Sequence, residues 1–154
     1  MIVRPSSSQL LAVVRQELKS SVAAIIQDPA LLAKLHMIDS ILASVERRCD
    51  HEVAWIREEI ADIEAGAEIV VKAGLDAKGR IALALEHLRA NRSADDHLPN
   101  LHAEYTLAGE VLSCSLEVAV AAGHEIRSRI EQILSARLKR EVEIRGEFSL
   151  AGRQ

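Results

Sequence analysis

Two long stretches of this chain hold apolar residues at steps of three and four, with no proline inside either stretch. The first carries Leu31, Leu35, Ile38, Leu42, Val45, Cys49, Val53, Ile56, Ile60, Ile63, Ala67 and Val70. The second carries Leu101, Tyr105, Ala108, Leu112, Ser115, Ala119, Ala122, Ile126, Ile130, Leu134, Leu138 and Val142. Steps of this size keep side chains on one side of a helix, and a sustained seam of them is the mark of helix packed along helix. The chain is therefore expected to be all-α. Only Phe148, Tyr105 and Trp55 are aromatic, so the core must be built from Leu, Ile, Val and Ala.

Punctuation places the helix ends. Ser6 and Gln9 have the spacing of a capping box and start a short helix over about residues 7–27. Asp28 and Pro29 suit an N-cap and a first helical position, and open a long helix over about 29–73. Gly74 suits a left-handed C-terminal cap. Asp76 is placed to cap a second short helix over about 77–91. After the polar loop NRSADDHLPN, Asn100 or Asp96 starts a second long helix over about 100–145. The expected architecture is a single elongated antiparallel bundle over residues 1–154: two long helices flanked by two short ones, with a loosely ordered tail from about 146. Asp50 and Gly123 are the weak points of the long helices. Because the first seam passes through Cys49, both long helices are expected to run unbroken. Off-seam apolar residues, among them Ile41, Ile69, Val111 and Ile133, would lie open on a monomer.

Composition excludes several functions. The net charge of -4 offers no basic field for nucleic acid, and single strands lack aromatic platforms on which to stack. No uncharged run approaches the ~18 residues of a membrane span. The start MIVRPSSSQLL has no apolar signal region, so a cytoplasmic location is expected. Cys49 and Cys114 fit no CxxC pattern and are read as reduced, small buried apolar residues. The residues three before the six histidines are Ala33, Arg48, Ala84, Ala94, Pro99 and Ala121. None is acidic, so the Glu-x-x-His pairs of bundle di-iron sites are missing. No metal and no cofactor are expected. GLDAKGRI lacks the Lys and Ser/Thr of a phosphate loop, and nothing has the setting of a catalytic nucleophile.

Two features stand above this background. Trp55, flanked by Arg48 and Glu59, borders the first seam and is a candidate anchor for an oligomer or partner interface, tryptophan being enriched in binding hot spots. Asp50, His51, His124 and Glu125 come to one level if the long helices form a hairpin, and would make a mid-bundle polar layer. The small residues between Ala108 and Gly123 pack helices closely or, alternatively, leave an apolar pocket.

The segments QLLAVVRQEL (Gln9–Leu18), SILASVERR (Ser40–Arg48) and LKREVEIRGEF (Leu138–Phe148) resemble a family of small all-helical bacterial proteins. Its members are commonly encoded beside aminoglycoside-phosphotransferase-like kinases and acyl-CoA dehydrogenases. The resemblance implies an accessory subunit for a hydroxyacyl-CoA kinase and implies no catalytic residue. The sequence reading is thus a non-catalytic, oligomeric accessory or scaffold protein, expected as a homodimer, that binds a kinase-like partner through a helical face. The alternative is a small-molecule-binding or enzymatic bundle.

Overall fold

Capping chemistry sets the helix boundaries. A computed structural model of the chain describes residues 4–145; the tail expected to be loose lies outside them. Helix covers 83% of the described residues, with no strand among them. Helix α1 (Ser7–Glu17) opens on a capping box in which Ser6 Oγ accepts from the Gln9 amide and the Gln9 side chain accepts from the Ser6 amide. A π-helical stretch, Leu18–Val22, and one further turn, α2 (Ala23–Ile25), complete the first short helical region. Asp28 Oδ1 then accepts from the Ala30 amide at 2.8 Å, and α3 (Pro29–Lys72) runs unbroken. Its end is a left-handed glycine cap. Gly74, at φ +71°, donates to the Val71 carbonyl, and Leu75 donates to that of Val70.

Helix α4 (Arg80–Ala90) starts three residues later than the sequence suggests. Gly79 takes a left-handed conformation and bonds back to Asp76, which makes a turn of the intervening residues. The Asp76 carboxylate still caps, accepting from the Ala82 amide at 2.9 Å. Neither Asn100 nor Asp96 caps α5 (Leu98–Ala119). Its N-cap is His97, positioned by Asp95, which accepts from the His97 amide and the Asn100 side chain. These two bonds hold the Asp95 carboxyl below its ordinary pKa.

The second long helix is two helices. α5 ends at Ala119, and α6 (His124–Arg145) begins after a short turn. Ala121 and Ala122 donate to carbonyls three residues back, and the Gly123 carbonyl accepts the first bond of α6 from Arg127. The break falls beside Gly123, the weak point of this helix in the sequence, where glycine disfavours helix. On α6 the buried path runs from Ile130 to Ile133, a step of three, while Leu134, Leu138 and Val142 are exposed. Ile133 and Val111, expected off the seam, are core residues.

By the density of its contacts the chain forms two compact units. One contains the residues up to Glu52 and those from Arg140; the other is Val53–Lys139. Within the second unit, all four helical segments feed one apolar cluster. Ile56, Ile60, Ile63, Ala67 and Val70 come from α3; Ile81, Leu85 and Leu88 from α4; Leu101, Ala108, Val111, Leu112 and Ala119 from α5; Ile130 and Ile133 from α6. Gly66 lets α3 and α6 approach. A Cβ there would stand 2.8 Å from Ile133 Cδ1 and 3.3 Å from Ile130 Cδ1.

Candidate interaction surface

In the first unit, polar side chains fasten α1 to α3. Ser8 Oγ donates to Asp50 Oδ1 at 2.8 Å. Arg15 donates to Asp39 Oδ1 at 2.8 Å and to Glu46 Oε2 at 2.6 Å, and Lys19 Nζ lies 3.0 Å from Asp39. Ascending positions on α1 meet descending positions on α3, so the two helices run antiparallel. The Arg15 bonds, with help from Lys19, hold the Asp39 carboxyl below its ordinary value although its partial burial pushes the other way. Arg47 Nε also donates to the Ile144 carbonyl, tying the end of α6 to α3.

Apolar packing in this unit is sparse. Leu35 and Ala43 are its buried hydrophobic residues among those described. Leu31 is 50%, Ile38 49%, Ile41 62% and Val45 40% exposed on α3, and Leu10 and Val14 are about half exposed on α1. Cys49 is exposed too, against the expectation of a buried thiol. Its place on the seam is as expected; the described residues of its own unit do not cover that seam.

The geometry of α3 explains the split. Asp39, Glu46 and Asp50, which receive α1, stand roughly 100° round the helix from Leu31, Ile38 and Val45. Burying the α1-facing side leaves the seam side bare. The antiparallel run of α1 also turns Val14 toward that bare side, level with Ile41 and Val45. Exposed apolar side chains thus stand along one side of α3, with Val14 of α1 on the same side.

In the second unit, buried acids are partnered. Glu104 is 1% exposed; it accepts from Arg57 Nη1 at 2.7 Å and from the Ser93 amide at 3.0 Å. Arg57 also reaches the Asp95 carbonyl and the Asp96 carboxylate. This network pins the loop before α5 to α3. Glu59 accepts from Tyr105 Oη at 2.7 Å, and the Arg137 guanidinium sits 5.7 Å from the centre of the Tyr105 ring. A buried acid with such donors is expected of a load that would otherwise be an unpaired charge.

Of the interface residues named from sequence, Arg48 is exposed and pairs with Glu52 one turn on. Trp55 is half-buried on the α3 part of the second unit. Glu59 is buried in that unit and is engaged internally. Of the polar-layer residues, Asp50 and His51 are exposed on the first unit's part of α3, and Asp50 is the acceptor for Ser8. His124 and Glu125 are exposed in the first turn of α6, in the second unit. Sequence reasoning placed Ile38 and Val45 on the first seam but not on an interface, and it did not single out Val14 or Glu104. Arg57 and Glu104 are ordinary surface types by composition, and only their three-dimensional pairing marks them.

Among the described residues, no three His, Cys, Asp or Glu side chains group to hold a metal ion. No described helix is long and apolar enough to cross a membrane. No family model, curated protein or solved structure matches the chain.

Proposed function

We propose that this chain is a non-catalytic accessory or scaffold protein that binds protein through the α1–α3 face of its first unit. The observation that carries the reading is the exposed part of a helical seam, Leu31, Ile38 and Val45, with off-seam Ile41 next to it and Val14 of α1 on the same side. An exposed apolar stripe along a helix suits helix-in-groove or helix-on-helix binding. The segments Gln9–Leu18 and Ser40–Arg48, which carry the family resemblance, fall on this unit. That resemblance nominates a kinase-like protein as a partner class.

Site-specific photo-crosslinking in cells tests this. A benzophenone side chain replacing Met37, which is 67% exposed beside the face, is expected to give discrete protein adducts. The same group replacing Leu83, equally exposed in the second unit, is expected to give none. Equal labelling from both positions, or none from Met37, would defeat the reading.

A further inference from the structure

We draw no further inference here: the strongest candidate, the exposed apolar stripe of Leu31, Ile38, Ile41 and Val45 along the first half of α3, belongs to the surface already described, and nothing in the structure shows what covers it.

Discussion

The two units of this chain share a helix and differ in how they use it. In Val53–Lys139, α3 is surrounded by helices of its own unit, and Ile63, Ala67 and Val70 are at most 2% exposed. In the unit that ends at Glu52, the same apolar repeat faces outward, and polar bonds from Ser8 and Arg15 do the fastening. The second unit has a buried apolar core as well as ion pairs, whereas the first relies mainly on ion pairs and hydrogen bonds. Burial gives ~25 cal/mol per Å², whereas a partly exposed ion pair contributes roughly 0–1 kcal/mol. The first unit should therefore be the weaker in isolation and should gain stability from whatever covers it.

The largest contrast is expected from matched core and face truncations. Ile63→Ala should destabilise the chain by ~2–5 kcal/mol through lost burial and a cavity. Ile41→Ala, measured by urea unfolding at concentrations too low for association, should change stability by no more than ~0.5 kcal/mol. Equal losses would erase the distinction between the units. Next comes Glu104→Gln, which removes the charge from a buried acid paired with Arg57. Loss of one member of a buried pair costs ~3–5 kcal/mol, but Arg57 is about a third exposed and can rehydrate, so ~1–3 kcal/mol is expected by the same unfolding measurement. Hydrogen exchange at Ser93 and in the following loop should quicken with it.

Ser6→Ala should remove about 1 kcal/mol of N-capping. Its signature is local: faster exchange in α1 with no change in the second unit. A uniform change across both units would contradict their separate accounts. The smallest effect is acid-dependent. The folded Asp39 carboxyl is depressed below its ordinary value of 3.8. Its contribution is complete above that value and is lost as pH falls through the lower, folded one. Acidification below about 4 should loosen α1 from α3, and Asp39→Asn should flatten that dependence. An identical acid profile in the variant would remove Asp39 from the fastening.

Much of the fold is legible from short-range chemistry. The Ser6–Gln9 box, the Asp28 cap and the Gly74 terminus are local motifs, whose bonds span a few residues and need no tertiary partner. Gly123 marked the weak point of the second long helix in the sequence, but that helix was expected to run unbroken, and the break after Ala119 is a correction made by the structure. A related detail lies at Cys49 and Val53. The repeat takes two steps of four in succession there, which shifts its phase, and the boundary of the two units falls at this place.

The sequence by itself determined that this protein is helical, where α1 and α3 begin, and which apolar residues line α3. Those properties follow from backbone capping and from the periodicity of side chains, both of which act within a few residues. Tertiary structure alone decided which part of the seam is covered, that Glu104 would find Arg57, that Gly66 would admit Ile133, and that Cys49 would lie open. Each depends on which helix arrives from a distant part of the chain. Residue pattern can require that an apolar face be buried; only the packed arrangement reveals which face is left exposed.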